Sequence, residues 1–375
     1  MVLGDLPTPS AVVDLDVLER NAAAMATRAV RLGVGLRPHV KTHKCVEAAR
    51  LQLAGLPPRV TVSTLAEARA FASAGFADVT YAVPLAPSRA TEAVALAEGT
   101  ERLQFVVDHD DAASALEDAA RRRARRAAVF LKVDCGYHRA GVDPERGDSV
   151  ALARRIADSP WLALRGVLTH AGHAYRCRDR DEIRRVAAQE RDRTVAFAER
   201  LRESGLEIAV VSIGSTPTMS VAEDLAGVTE IRPGNYVFFD AFQAAIGSCA
   251  RADVAFSVVA SVIGSYPARA AAVLDAGSLA LSSDPGPRHV DPECGFGVVC
   301  DLAGAEIVPG LRVSQLSQEH SKVETGEPSA HRALRVGAKV RVLPNHSCLA
   351  AACFDRYHVV RGETVVDAWR PVKYW

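Results

Sequence analysis

Short apolar runs alternate with longer amphipathic stretches through the first two thirds of the chain. Strand-like segments are expected at Ala11–Leu15, Leu36–Lys41, Val60–Ser63, Val79–Ala82, Leu103–Val107, Val129–Val133, Leu164–Thr169, Ile208–Ile213 and Glu230–Pro233. Helices are expected at Asp16–Val30, Leu65–Ala74, Pro87–Ala97 and Asp181–Glu203. In the last of these Ile183, Val186, Ala187, Phe197 and Leu201 keep an apolar stripe on one side. Thr64 with Glu67 three residues later reads as a capping box at a helix start. Repeated strand–helix units need right-handed crossovers, so neighbouring strands run parallel. Eight or so such units in about 240 residues, with no GxGxxG fingerprint, predict an α/β fold built on a TIM-type (β/α)8 barrel.

After about Ala250 the texture changes. Val254–Ile263, Ala270–Leu274, Leu311–Val313, Ala338–Leu343, Tyr357–Val360 and Glu363–Trp369 are strand-like, with turn residues between them. This predicts a barrel over residues 1–248 and a mostly β C-terminal domain over residues 249–375. The stretch Ser282–Pro309 has little periodicity and reads as a long loop, the kind that serves as a lid or a subunit contact.

Composition narrows the function classes. With 375 residues, 49% of them hydrophobic, the chain can bury a large core. Lys plus Arg equals Asp plus Glu at 45 each, which argues against nucleic-acid or anionic-membrane partners. No run is long and apolar enough to span a bilayer, and the start MVLGDLPTPS lacks a signal-like pattern, so a cytoplasmic location is expected. The eight cysteines are dispersed without a CxxC pair, which excludes a disulfide scaffold or a four-cysteine cluster.

Candidate chemistry gathers just past the strand ends. Lys41 in RPHVKTHK follows an early strand, at the barrel end that carries chemistry, where an amine can form a Schiff base with an aldehyde cofactor. A solvated surface lysine is the alternative. Gly214, Ser215 and Thr216 in SIGSTPT, with Gly234 and Asn235 in RPGNY, supply small residues, hydroxyls and backbone N–H groups suited to a phosphate nest, or else to two structural turns. VDCGYHRAG and THAGHAYR put Arg139, His170, His173 and Tyr175 at the same rim, where a ring can pack and a guanidinium can steady an ionised hydroxyl. For His138 and His173 a loop satisfying its own polar groups is an equally reasonable account.

His346 and Cys348 in PNHSC follow the strand-like run Ala338–Leu343. On an extended backbone both side chains point to one side. Imidazole plus thiolate suits Zn2+ and leaves positions open for water or substrate. Glu319 and His320 are possible additional ligands or supports.

At these residues the sequence resembles eukaryotic-type D-serine dehydratase, within the D-threonine aldolase and alanine-racemase-like fold-type III pyridoxal-phosphate family. The pieces are TPSAVVDLDVLERN, RPHVKTHK, VSTLAEA, LKVDCGYHRAGV, SIGSTPT, RPGNYVFFD, GSC, LSQEH, PNHSC and WRPVKYW, in order over nearly the whole chain. The resemblance implies that Lys41 carries pyridoxal 5'-phosphate and acts as the α-proton base. It implies that Gly214, Ser215, Thr216, Gly234 and Asn235 hold the phosphate. His170 would pack on the pyridine ring, Arg139 would lie near the ring hydroxyl, and Tyr175 would be an active-site tyrosine. His346 and Cys348 would bind zinc, or Mn2+ or another divalent ion, that polarises the β-hydroxyl of a small D-amino acid, and the protein would be a homodimer. The lysine and the metal pair are expected to converge on opposite ends of one substrate.

The implied reaction is a dehydratase (ammonia-lyase) reaction that turns D-serine into pyruvate and ammonia. The alternatives are retro-aldol cleavage of D-threonine and dehydration of D-threo-3-hydroxyaspartate. Arg232, His173 and Ala174 depart from the pattern of a D-serine dehydratase. Arg232 reads as an added cation near the mouth that could welcome a second carboxylate.

Overall fold

The computed structural model describes residues 1–326 and 328–375. Backbone contacts divide them into two compact units, Ala24–Gly234 with Val372–Trp375 and Met1–Ala23 with Asn235–Pro371.

After β1 (Ser10–Asp14) come eight strands of one parallel sheet. They are β2 (Gly35–Leu36), β3 (Arg59–Val62), β4 (Asp78–Pro84), β5 (Arg102–Val107), β6 (Ala127–Lys132), β7 (Leu162–Leu168), β8 (Val210–Ile213) and β9 (Glu230–Ile231). The spatial order is β2-β9-β8-β7-β6-β5-β4-β3, and every neighbouring pair is parallel. The ends of that order meet, because the Thr61 N–H donates to Pro38 O at 2.9 Å and His39 bridges Thr61. The result is the nearly closed barrel that the repeated units predict. In chain order the helices α1 (Leu15–Arg31), α2 (Val46–Gln52), α3 (Leu65–Ser73), α4 (Ala90–Glu98), α5 (Asp110–Arg122), α6 (Gly147–Asp158), α7 (Arg180–Glu203) and α8 (Thr216–Val221) fall between the strands. Thr64 Oγ1 caps α3 by accepting the Glu67 N–H at 3.0 Å, as the capping pattern predicts. The Glu67 carboxylate instead takes the Ser63 N–H, at 2.8 Å.

Part of the barrel interior is apolar. Val106, Phe130 and Leu168 pack together with Val210, and emptying the Phe130 position would cost about 3–5 kcal/mol. The rest is a buried polar network. Arg37 Nε donates to both Glu230 oxygens, at 3.0 and 2.9 Å, and Nη1 to Asp78 Oδ1 at 2.7 Å. Ser212 Oγ donates to Glu230 Oε1 at 2.7 Å. Buried charges persist only when satisfied in this way, so the network fixes the register of strands around the barrel.

The second unit is β-rich. Its strands are β1, β10 (Phe256–Tyr266), β11 (Ala271–Leu274), β12 (Gly297–Cys300), β13 (Val313–Leu316), β14 (Ser321–Glu324), β15 (Lys339–Pro344), β16 (Tyr357–Arg361) and β17 (Thr364–Trp369). The main path is β13-β14-β11-β10-β1-β16-β17, with β15 pairing β10 and β12. Leu3, Leu6, Val12, Val259 and Val360 form one of its cores.

Several expectations are corrected here. The strand at Ala11–Leu15 is β1, which runs antiparallel to β10 and parallel to β16 rather than among the barrel strands. The stretch Ser282–Pro309 is not all loop, since β12 lies within it, paired with β15. The short β14 gave no sequence signal. Among the described residues no helix is long and apolar enough to cross a membrane.

Candidate active site

Lys41 lies in a single 3-10 turn, Val40–Thr42, that directly follows β2 and its extended continuation. It is exposed, three residues before Lys44. Lys44 Nζ pairs with the Glu67 carboxylate, which is fully buried. His39 Nδ1 accepts the Lys41 N–H at 3.4 Å, and the His39 N–H donates to Pro233 O at 3.0 Å, next to Gly234 past β9.

The turn after β8 has the features of an anion cradle. Gly214 has φ +107°, a conformation that an L side chain rarely adopts, and an added Cβ would press on Met219. Ser215 and Thr218 cap one another at the start of α8, and Ser215 and Thr216 are buried. Beneath them lies Glu190, a fully buried carboxylate on α7. Its Oε1 accepts the N–H of Ala171 at 2.8 Å and of Gly214 at 3.1 Å, and its Oε2 accepts the Thr218 hydroxyl at 3.0 Å. One side chain thereby ties the loop after β7, which carries His170, to the turn after β8. Burial raises the pKa of Glu190, and the two N–H donors oppose that shift.

Positive charge collects around His170. Burial, then the charges of Lys41, Lys132, Arg139 and Arg232, push its imidazole well below the ordinary range, so the ring is neutral. His39 is neutral for the same reasons, burial first and Lys41 next. Lys132, at the end of β6, is held down to about 8 by burial and by Arg232 and Arg139. Arg232 is buried, not at a mouth. Its Nε donates to Ser212 Oγ at 2.7 Å and its Nη2 to Thr169 O, so it cannot serve as the solvent-facing cation expected for a second carboxylate. Such a cationic, partly desolvated rim with a neutral imidazole and a cradle of N–H and hydroxyl groups fits a flat, anionic cofactor such as pyridoxal phosphate.

Arg139 lies over the ring of Tyr137, 4.9 Å from the centroid, on the loop after β6. Tyr175 lies in the 3-10 segment Gly172–Arg176 after β7. His138 has φ +56° and bonds its own loop's Asp134 at 2.8 Å, the bland role that its position allowed.

In the β unit the chain does not stay extended past Pro344. His346 is the N-cap of a helix over Ser347–Ala352, and Cys348 lies in its first turn, which corrects the extended geometry expected for this pair. The helix begins there because Asp240 Oδ2 takes the Ser347 N–H at 3.0 Å. Asp284 Oδ2 lies 3.1 Å from His346 Nδ1. Burial lowers the His346 pKa, but its interactions with Cys348 and Asp284 outweigh it and raise it to about 11. Asn235 directs its amide at Asp240, at Ser347 and at Cys348 Sγ, the last at 3.6 Å. A carboxylate behind an imidazole is the usual support of a metal-ligating histidine. Among the described residues, however, no group of three or more His, Cys, Asp or Glu side chains is placed to hold a metal. Glu319 and His320 do not complete a donor set, because they form the exposed tip of the β13–β14 hairpin, closed by Ser317 N–H to His320 O at 2.8 Å.

Sequence reasoning missed Glu190, Lys132, His39, Asp240 and Asp284. Only Glu190 left a signal, a carboxylate inside the buried stripe Ile183, Ala187, Glu190, Thr194, Phe197, Ala198 and Leu201 of α7.

Residues 13–241 match the family model of the alanine racemase N-terminal domain, and residues 255–360 match a serine dehydratase domain. The chain is 39% identical over 374 residues to D-threo-3-hydroxyaspartate dehydratase of Delftia sp., covering 99% of this chain and 98% of that one. The solved structure of that enzyme superposes with a TM-score of 0.95, at 40% identity and full coverage of both chains. A mutant of it in the metal-free form matches equally well. D-serine dehydratase of Dictyostelium discoideum is 36% identical over 395 residues, covering 100% of this chain and 98% of that one. The resemblance to eukaryotic-type D-serine dehydratase is therefore too narrow, because a 3-hydroxyaspartate dehydratase matches over the same length. The residues around Lys41 and the similarity along the whole chain lead to one assignment: this protein belongs to the fold-type III pyridoxal-phosphate family of D-threo-3-hydroxyaspartate dehydratase, D-serine dehydratase and D-threonine aldolase, and is a lyase of small β-hydroxy amino acids.

Proposed function

We propose that this lyase removes water from D-threo-3-hydroxyaspartate, with D-serine as a poorer substrate. Full-length similarity to the Delftia enzyme carries this reading. Loss of the α-hydrogen and the β-hydroxyl leaves an enamine. Once released, the enamine becomes an imine and takes up water to give oxaloacetate and ammonia.

Bound pyridoxal phosphate would supply the electron sink for the α-carbon. Lys41, exposed at the end of the β2 segment, would anchor it and take the α-proton. Gly214, its N–H held by Glu190, would make the turn that lets the hydroxyls of Ser215 and Thr216 hold the phosphate, with Gly234 and the backbone of Asn235 as the second turn. Neutral His170 would cover a ring face without adding a charge, and Arg139 would face the ring hydroxyl. Tyr175 would contact substrate beside them. His346 and Cys348 would provide the two protein ligands of a divalent cation, zinc or manganese, with Asp284 orienting the imidazole. Such an ion would offer Lewis acidity toward a hydroxide leaving group.

The test supplies purified holoenzyme with D-threo-3-hydroxyaspartate or with D-serine and quantifies ammonia with each keto acid. A higher kcat/KM for the dicarboxylic substrate is expected. A preference for D-serine would defeat the substrate assignment.

A further inference from the structure

Two guanidinium groups at the barrel rim share one aromatic ring. Arg139 Cζ lies 4.9 Å and Arg176 Cζ 5.9 Å from the Tyr137 ring centroid, and His173 stacks on that ring at 6.1 Å. The phenol is fixed from below, because the backbone of Gly172 packs so closely that a Cβ there would lie 2.2 Å from Tyr137 Cε1. Among the described residues neither arginine has a carboxylate within 4.0 Å, in contrast to Arg37, Arg155, Arg191 and Arg361. The nearest acid on the Tyr137 loop, Asp134, is used by the N–H groups of Gly136 and His138, at 2.9 and 3.0 Å, and by the His138 ring. Guanidinium groups seated on an aromatic face keep their edges free for bidentate hydrogen bonds, the geometry that a carboxylate accepts.

We propose that Arg176, steadied beside Arg139 on Tyr137, is the specificity residue that receives the β-carboxylate of a dicarboxylic D-amino acid. The inference rests on the proposed function and names the group that makes the substrate a dicarboxylate. Arg139 and Arg176 divide the work, the first toward the cofactor and the second toward the substrate's far end. D-Serine has no group for Arg176, so the residue separates the two substrates.

The experiment measures kcat and KM of the holoenzyme for D-threo-3-hydroxyaspartate and D-serine in the wild type, R176Q and R176K. R176Q is expected to raise KM for the dicarboxylate by about 10–100-fold, the loss of a charge-assisted hydrogen bond, with a much smaller change in kcat. The ratio of kcat/KM values falls by the same factor, and R176K recovers part of it. Equal losses on both substrates, or an unchanged ratio, would overturn the assignment. A second readout does not depend on turnover. Perturbation of cofactor absorbance reports binding of D-aspartate and D-alanine, which have no β-hydroxyl to lose. Wild type that prefers D-aspartate and R176Q that does not would uphold the subsite even if no elimination occurred. No such preference in the wild type would remove the subsite even if D-serine were dehydrated.

Discussion

The carboxylate of Glu190 lies 3.1 Å from the backbone N–H of Gly214 and, through the same oxygen, 2.8 Å from that of Ala171. A single acceptor on α7 thus sets the spacing between the loop that bears His170 and the turn that bears Ser215 and Thr216. E190A leaves both N–H groups buried without a partner, at about 1–3 kcal/mol each. Cofactor affinity should fall by at least about tenfold in a dialysis or fluorescence titration. In E190Q the amide oxygen can accept both N–H groups while its NH2 turns to Thr218 Oγ1, so affinity should stay within a few-fold of the wild type. Equal affinity in E190A and the wild type would show that the clamp does not position the site.

Variants of Lys41 and Lys44 should differ in kind. K41A should abolish the visible absorbance of the lysine-linked cofactor and lower kcat by about 10²–10⁴-fold. K44A should keep that absorbance but destabilise the protein by about 1–3 kcal/mol, because buried Glu67 loses its cation. Absorbance spectra and denaturant midpoints of the two variants decide it.

The buried amine of Lys132 predicts a pH dependence of the cofactor-free protein. Burial and the adjacent arginines lower its folded-state pKa from 10.5 to about 8. Between those values the unfolded chain binds more protons than the folded one, so stability rises with pH across that window and is flat below it. The rise attributable to this group is on the order of 3 kcal/mol. Buried cysteines such as Cys45 and Cys249, whose thiol pKa burial raises, act in the opposite sense in both proteins, so the stability of the wild type relative to K132M should grow between pH 7.5 and pH 10 in chemical denaturation.

C348A removes one of the two donors proposed for the cation. Elemental analysis should find it depleted of divalent metal, while cofactor absorbance is retained and elimination is largely lost. Full elimination by a metal-free C348A protein would remove the ion from the reaction.

The barrel was legible because most of its parallel strands read as apolar runs, and seven of the eight were found within two residues; the eighth, expected at Leu36–Lys41, is a strand only at Gly35–Leu36 and turns into a 3-10 segment at Val40. Partner choice was not legible. β1 looks like its neighbours, yet Ser10 pairs with Val259 and Val12 with His358. The backbone at His346 was misread for a related reason, since the helix start depends on Asp240, 107 residues away. Arg232 is another such case. Its charge suggested solvent, whereas Ser212 and Thr169 bury it.

Elimination of water from a dicarboxylic β-hydroxy D-amino acid and cleavage of its carbon chain leave different products. Proton NMR of the holoenzyme turning over D-threo-3-hydroxyaspartate distinguishes them. Oxaloacetate, or the pyruvate formed from it, is expected with one ammonia per substrate consumed. Glycine and glyoxylate in equal amounts would instead mean retro-aldol cleavage and rule out the proposed elimination.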